Sequence, residues 1–281
     1  MLPSDQLDHL AAQLITVPGI RAVVLGGSRA RGTHRPDSDV DLGLYYEGEL
    51  DLGALTDLAR SFPGNERVEI AGPGGWGPWV SGGAWLHVDG VAVDWILRDV
   101  RRVREQCDRA RNGSFAFHAH AGHPLGFLDV SYAGEIATCR ILEDPDGLVA
   151  EAKAQLDPYP PALTTAMIEN LWQARFLVDS ARKGAAGGDA AYVQLCCSTA
   201  LMLCAHAWHA AAEVWVTNEK GLVPGVDRLP LETGGFSAAA HQALTWGAGS
   251  GPEEWTSGAT THVQAVDELV SGTIAALAGR S

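Results

Sequence analysis

Two aspartates separated by a single residue, Asp39 and Asp41, are the side chains whose type and spacing point most directly to chemistry. They lie at the start of an apolar run that ends at Leu44. Side chains of a strand alternate between its two faces, so both carboxylates would lie on one face, about 7 Å apart along the strand. Like charges held this close are costly unless a cation lies between them. Hard oxygen ligands at this spacing suit Mg²⁺, which binds one or two carboxylates together with substrate phosphates.

A glycine-rich turn supplies the complementary half of such a site. An apolar strand ends in Gly26, Gly27 and Ser28, and ten residues separate Ser28 from Asp39. Glycines let backbone N–H groups approach a ligand closely, and the first turn of a helix attracts negative charge. The turn therefore predicts a binding site for a triphosphate.

Basic residues follow the turn directly. Arg29, Arg31 and Arg35 lie beside it, and we expect them to contact the nucleotide, with Arg31 as the candidate. A second basic run extends from Arg98 to Arg111 and is interspersed with acids. Mixed charge of this kind predicts the solvated face of a helix.

A third carboxylate completes a pattern that resembles a known family. Asp94 interrupts an apolar run that follows the turn residues Asp89 and Gly90. The segments GSRARG and SDVDL, with Asp94 on a later strand, resemble the DNA polymerase β-type nucleotidyltransferase superfamily. They are especially similar to the small bacterial aminoglycoside and lincosamide nucleotidyltransferases. The domain that this resemblance implies covers about the first half of the chain.

The resemblance implies a role for each of these residues. Gly27 and Ser28 would bind the nucleotide phosphates, and Asp39, Asp41 and Asp94 would hold two Mg²⁺ ions. The reaction would transfer a nucleoside monophosphate from an NTP, with ATP as the expected donor, to a hydroxyl group with release of pyrophosphate. Asp94 would also accept the proton of that hydroxyl.

Two questions stay open at this point. Some antibiotic-modifying relatives use a separate glutamate as the base, so Glu66 or Glu69 competes with Asp94 for that role. The acceptor is expected to be a small molecule, with an aminoglycoside-like antibiotic as one guess, which would make the protein an antibiotic-resistance enzyme. The alternatives are a protein or tRNA end, as in toxin–antitoxin relatives, and a non-catalytic NTP-binding module. Retention of all three carboxylates argues against the last alternative, because binding alone does not require them.

Short elements of both types must position these residues. Strands are predicted over residues 21–25 and 40–46, together with a hairpin of strands 85–88 and 91–97 around Asp89 and Gly90. Helices over residues 4–17 and 52–62 accompany them. This mixture predicts an α/β (α+β) nucleotidyltransferase domain with a mixed sheet over residues 1–150. The Gly/Trp-rich segment 72–83 fits neither period and predicts a loop, either functional or merely irregular.

The second half of the chain has a helical pattern. Helices are predicted over residues 167–181, 190–213 and 260–278, and they indicate an all-α helical-bundle domain over residues 151–281. A polar stripe on the middle helix includes His209 and Glu213. It indicates either polar packing within the bundle or a face that lines a cleft, and we expect these two residues to contact the acceptor. Lys220 follows in a turn, and we expect it to reach the triphosphate. In the first half, His118, His120 and His123 lack partners at metal-ligand spacing and predict a polar loop.

Composition and charge exclude several classes of protein. Hydrophobic residues make up 46% of the chain, too many for a disordered protein. Twenty basic and 34 acidic residues give a formal net charge of −14, which repels phosphate backbones and disfavours nucleic acid as a partner.

Five cysteines without CxxC spacing predict free thiols in a reducing compartment. The first residues do not follow the order of a signal peptide, and the apolar residues 190–212 predict a buried helix. We therefore expect a cytoplasmic globular protein without a membrane partner, and its oligomeric state stays open.

Overall fold

The computed structural model describes residues 2–245 and 252–280 and divides the chain into two compact units. The first comprises Met1–Ala110 with Ala116–Pro158, and the second comprises Arg111–Phe115 with Tyr159–Ser281. The expected domain boundary at residue 150 falls inside a helix of the first unit, Leu148–Ala154.

Strands and helices alternate in the first unit. The strands are β1 Ile20–Leu25, β2 Val40–Tyr46, β3 Gly83–Val88, β4 Val91–Asp99, β5 Phe117–His120, β6 His123–Leu128 and β7 Arg140–Glu143. The helices are α1 Ser4–Leu14, α2 Gly27–Ala30, α3 Leu52–Ser61, α4 Val100–Arg111, α5 Ser131–Thr138 and α6 Leu148–Ala154.

A five-stranded mixed sheet organises this unit, with the strand order β3-β4-β2-β1-β7. The central strands β2 and β4 run parallel, whereas the other neighbours are antiparallel. One face of the sheet, which includes Leu42, Leu44 and Trp95, forms the hydrophobic core with Leu14 of α1 and Leu55 of α3. The opposite face carries Asp41 and Asp94, together with the buried side chains of Val24 and Tyr45. The strands β5 and β6 form a separate two-stranded sheet.

The predicted hairpin is confirmed, and its turn explains the register of β3 on β4. Asp89 and Gly90 both have positive φ angles, 49° and 77°. Two central residues with positive φ form the tight turn whose twist matches that of paired strands. The turn sets Val88 opposite Val91, and the pairing continues to Gly83 opposite Ile96.

The second unit is helical, so the predicted fold class, a mixed-sheet domain followed by a helical region, is confirmed. Its helices are α7 Pro161–Glu169, α8 Leu171–Ala186, α9 Ala190–Ala211, α10 Leu222–Gly225, α11 Phe236–Leu244 and α12 Pro252–Leu277. Among the described helices, α9 alone is long and apolar enough to cross a membrane by length and composition. Most of its apolar residues are buried, and it packs against α7, α8 and α12, as expected for the core helix of a bundle.

Candidate functional site

The parallel pairing of β2 with β4 brings two of the predicted carboxylates together. Asp41 is the register partner of Asp94, one strand spacing away, or about 4.8 Å. The next residues along each strand, Leu42 and Trp95, are completely buried in the core. Because side chains alternate, Asp41 and Asp94 lie on the opposite face of the sheet, and both are half-buried there.

The glycine-rich turn lies directly against Asp41. The Gly26 N–H donates a hydrogen bond to the Asp41 carbonyl oxygen at 2.8 Å. Gly27 has a φ of +60°, and a Cβ placed on it would lie 1.8 Å from the Asp41 carboxylate oxygen Oδ2. Only glycine fits this position, because it tolerates the left-handed backbone and leaves the space that the carboxylate occupies. Ser28 follows within the short helix α2 and is half-buried.

Asp39 is exposed and precedes the first residue of β2. Arg29 fixes the backbone of this segment, because its Nε donates to the Asp39 carbonyl oxygen at 2.9 Å and to the Ser38 carbonyl oxygen at 3.2 Å. The guanidinium therefore positions Asp39, a role that the sequence did not suggest. Arg31 is exposed, and its charge acts to lower the pKa of Asp41, as does that of Arg29.

The negative charge of this face is only partly compensated by the nearby arginines. Burial raises the pKa of Asp94 to about 6, and the charges of Asp41 and Asp39 add to the shift. The pKa of Asp41 is also raised, first by burial, then by Asp39 and by Glu135 of α5. Like charges that disfavour one another's ionisation are typical of sites that bind a cation or transfer a proton.

The donor set suits a magnesium ion that is shared with a nucleotide. Within the described residues, no three His, Cys, Asp or Glu side chains are grouped closely enough to hold a metal ion. Protein side chains alone therefore form no closed cage. Mg²⁺ commonly takes one or two carboxylates and completes its shell with phosphate oxygens and water. Asp39 and Asp41, beside the glycine-rich turn, fit that requirement.

Asp94 is better suited than Glu66 to act as a base. A Glu66 carboxylate oxygen accepts a hydrogen bond from the Gly64 N–H at 3.0 Å. Backbone hydrogen bonds to Glu66 lower the pKa of its carboxyl group, which makes it a weaker proton acceptor. Glu69 is exposed outside the strands. A carboxylate with a pKa near 6 is ionised at neutral pH and is a stronger base than a carboxylate with an ordinary pKa. Asp94 therefore remains the candidate for the general base.

Arg98 corrects the prediction that the basic run is a solvated face. Its side chain is buried at the end of β4 and makes two hydrogen bonds of 2.7 Å to the Glu135 carboxylate. The guanidinium also lies 4.9 Å from the centre of the Tyr132 ring. Glu135 was not predicted as part of this region, because it follows Arg98 by 37 residues and no local pattern links the two. The later arginines of the run lie on α4, as expected.

The histidine-rich segment is a hairpin, so its prediction as a loop is wrong. His118 and His120 lie on β5, and His123 begins β6. His118 Nε2 lies 3.2 Å from Asp129 Oδ2, and its ring stacks on Trp79 with 3.9 Å between centroids. These long-range contacts order a segment whose polar sequence carries no strand period.

The remaining predicted residues belong to the second unit. His209 is buried on α9, with Nε2 3.1 Å from the Leu222 carbonyl oxygen. Glu213 follows the end of α9, is exposed and has a φ of 58°. Lys220 is exposed, and its backbone N–H donates to Asn218 Oδ1 at 2.7 Å. The nucleotide role of Lys220 and the acceptor roles of His209 and Glu213 stay predictions.

Comparison with known proteins supports the interpretation of the first unit. Residues 12–72 match the family model described as a nucleotidyltransferase domain. The match indicates a nucleotidyltransferase domain in this part of the first unit. The matched segment includes Gly27, Asp39 and Asp41 and ends before Asp94. No curated protein matches the sequence.

A solved structure with a distant likeness is that of a nucleotidyltransferase-like protein from Exiguobacterium sibiricum. The two chains are 12% identical, with a TM-score of 0.39. The match covers 94% of this chain and 74% of the other.

Replacement of Gly27 by alanine tests the close approach to Asp41. The added Cβ would displace the carboxylate, and we expect Gly27→Ala to weaken binding of Mg²⁺ with a non-hydrolysable ATP analogue by at least about tenfold, or about 1.4 kcal/mol. Gly32→Ala is the matched control, because Gly32 has a similar φ of +68° but open space around its Cβ position. Calorimetric titration of both variants separates displacement of Asp41 from backbone strain. Equal losses in the two variants would contradict the assigned contact.

The raised pKa of Asp94 predicts a pH-dependent cost in stability. Its folded-state pKa of about 6 exceeds the unfolded value, so the ionised carboxylate destabilises the fold increasingly as pH rises from about 4 to 6, and fully above 6. In EDTA at pH 7.5, Asp94→Asn should therefore be more stable than the wild type by about 1 kcal/mol, after allowance for solvent screening. Urea unfolding at pH 7.5 and pH 4 measures this, and the advantage should largely disappear at pH 4. An advantage that is the same at both pH values would show that ionisation is not its cause.

Proposed function

We propose that this protein transfers a nucleoside monophosphate from an NTP, with ATP as the donor, to a hydroxyl group of a small molecule. The observation that carries this proposal is the placement of Asp41 beside Asp94 on neighbouring parallel strands, with Gly27 against the Asp41 carboxylate. The turn that would bind phosphate thereby lies on one side of the Asp41 carboxylate, and Asp94, the proposed proton acceptor, lies on the other. The nucleotidyltransferase domain matched over residues 12–72 supports the reaction class.

Each residue has a distinct role in this proposal. The backbone of Gly27 and the hydroxyl of Ser28 bind the triphosphate, with Arg31 adding positive charge. Asp39 and Asp41 would hold the Mg²⁺ ions together with phosphate oxygens of the nucleotide, and Asp94 lies beside Asp41 as the third carboxylate of this face. When bound, Mg²⁺ supplies charge neutralisation to the phosphates and makes the acceptor hydroxyl more acidic.

The reaction is a displacement at the α-phosphorus. The acceptor oxygen forms a bond to that phosphorus while the bond to the oxygen that bridges to the β-phosphate breaks, and pyrophosphate leaves with the electron pair of the broken bond. Asp94 accepts the proton of the hydroxyl. Since the pKa of Asp94 is about 6 in the unliganded protein, the base is mostly ionised at neutral pH.

The charge of the chain supports a cationic acceptor, and the state of its cysteines supports a cytoplasmic location. The chain has a net charge of −14, and the negative charge of the face that carries Asp41 and Asp94 is only partly compensated. An aminoglycoside-like polycation would complement that field, which would give the protein a role in antibiotic resistance. No disulfide joins the five cysteines, which are all buried, in keeping with a reducing compartment.

Transfer of label from α-labelled ATP with Mg²⁺ tests the proposed activity. Small-molecule, RNA and protein acceptors are supplied in separate reactions, and label is expected on the small-molecule hydroxyl alone. Transfer to RNA or to protein would replace the proposed acceptor class while leaving the reaction intact. Absence of any transfer, with ATP binding retained, would favour a non-catalytic nucleotide-binding protein.

Asp39→Asn and Asp41→Asn test the metal ligands. Each substitution should leave the fold intact and remove about 4 kcal/mol of transition-state stabilisation, which is about a thousandfold in kcat/KM. Asp37→Asn is the matched control, since Asp37 is an exposed acid of the same segment outside the proposed site. Steady-state rates at saturating Mg²⁺ provide the measurement. Turnover near that of the wild type in either Asp39→Asn or Asp41→Asn would eliminate the proposed site.

Variants of the second unit test whether Lys220 contributes to nucleotide binding and whether Glu213 and His209 contribute to acceptor binding. Lys220→Ala should raise the KM for ATP about tenfold, the effect of one lost charge-assisted contact, with little change in the KM for the acceptor. Glu213→Gln should do the reverse, and His209→Ala should act like Glu213→Gln. Thermal unfolding identifies any loss of structure in His209→Ala, whose imidazole is buried. Unchanged KM values in Lys220→Ala and Glu213→Gln would remove these two residues from the site.

A further inference from the structure

The exposed tryptophan Trp85 lies next to the proposed base. On the hairpin, Trp85 of β3 is the register partner of Asp94, and directly opposed residues of antiparallel strands project on the same face. The side chains of Trp85, Asp94 and Asp41 therefore form one row across three neighbouring strands. The glycine-rich turn lies at the Asp41 end of this row, so Trp85 lies at the end away from the proposed phosphate site.

A second tryptophan supports the first. The Trp76 ring stacks on Trp85, with 4.3 Å between ring centroids and 21° between the ring planes. Gly83 lies beneath Trp76, because a Cβ at Gly83 would come within 3.0 Å of that ring. In spite of this contact, Trp85 remains 66% exposed. An aromatic side chain that is held in place and yet open to solvent beside a catalytic carboxylate is a surface for a ligand.

The Gly/Trp-rich loop that carries Trp76 is ordered by its own hydrogen bonds. Ala71 and Gly83 close its base through two backbone hydrogen bonds of 2.8 Å, and the Trp76 N–H donates to the Ser81 carbonyl oxygen at 3.1 Å. On its far side, the ring of Trp79 stacks on a histidine and a phenylalanine of the β5–β6 hairpin. The aromatic pair is thus formed before a ligand binds, which reduces the entropy lost on binding.

The edge strand that carries Trp85 is also fixed from outside the sheet. The buried Asn65 side chain accepts a hydrogen bond from the His87 N–H at 2.9 Å and donates one to the His87 carbonyl oxygen at 2.6 Å. These two bonds mimic a neighbouring strand beside β3. The position of Trp85 relative to Asp94 is therefore set by pairing on both sides of β3.

We propose that Trp85 and Trp76 form the binding surface for the acceptor, which stacks one face of a sugar ring on Trp85 and presents a hydroxyl at the ring edge to Asp94. This inference rests on the proposed function, because it assigns the acceptor half of the same site. Tryptophan faces bind the apolar C–H face of a ring, and they attract cations. The nearby carboxylates favour ammonium groups, so the acceptor class is an amino sugar rather than a neutral one.

Kanamycin, a polycationic amino sugar, is the probe for this surface. It is titrated by calorimetry into the full chain saturated with Mg²⁺ and a non-hydrolysable ATP analogue. Trp85→Ala should raise the Kd for kanamycin about tenfold, the loss of one stacking contact, while Trp85→Phe should retain most of the affinity. Trp172→Ala is the matched control, because Trp172 is 65% exposed on α8 and should leave the Kd unchanged. Trehalose, a neutral sugar, should bind more weakly than kanamycin.

Several outcomes would overturn the inference. One is that kanamycin does not bind to the wild type, and another is that Trp85→Ala binds kanamycin with the same Kd as the wild type. A third is that Trp85→Ala loses affinity for the ATP analogue and not for kanamycin, which would make the tryptophan pair a nucleobase site. Trehalose binding as tight as that of kanamycin would overturn the assigned charge preference. Label transfer separates this inference from the proposed function. If label is transferred to a hydroxyl equally well by the wild type and by Trp85→Ala, the proposed function is supported and the acceptor surface is not. If kanamycin binding depends on Trp85 but no label is transferred, the binding surface is supported and the proposed function is not.

Discussion

The parallel register of β2 on β4 is the constraint on which both the fold and the site depend. In this register, Leu42 lies beside Trp95 in the core, while Asp41 lies beside Asp94 on the other face. A slip of either strand by one residue would exchange the two faces of that strand. It would bury a carboxylate among apolar side chains and expose Leu42 or Trp95, and the cost of burying an unpaired charge is prohibitive. The core therefore enforces the geometry of the carboxylates.

Nearby positive charges are largely engaged in holding the structure, which leaves the face acidic. The buried Arg98 donates to the Glu135 carboxylate through Nε and Nη2, and Arg29 donates to carbonyl oxygens of the segment that carries Asp39. Neither arginine therefore cancels the charge of Asp94, whose pKa stays high. A folded protein that retains such repulsion is less stable than it could be, a trade-off typical of functional sites. The same repulsion makes the face receptive to cations and to substrates that bring them.

Local signals in the sequence predict the parts of the molecule that local physics determines. The alternation of Val40 to Leu44 was sufficient to predict a strand, and the turn at Asp89 and Gly90 was sufficient to predict a hairpin. The phosphate-binding role of the Gly-Ser turn before Asp39 stays a prediction. By contrast, the pairing of Arg98 with Glu135 depends on tertiary contact, and no hydrophobic periodicity or sequence motif indicates it. The β5–β6 hairpin was missed for the same reason, because packing on Trp79 orders its polar residues.

The closure of the loop at its base, between Ala71 and Gly83, has a consequence for how such a protein can change over evolution. The chain enters and leaves the loop at one point beside the sheet, so substitutions and length changes within it need not disturb the strands that carry Asp41 and Asp94. Loops with fixed ends tolerate variation that regular elements do not. A lineage could therefore replace Trp76 and its neighbours while it keeps the strands that carry Asp41, Asp94 and Trp85 unaltered. The segment is a part of the molecule in which the surroundings of Trp85 can change without rebuilding the sheet.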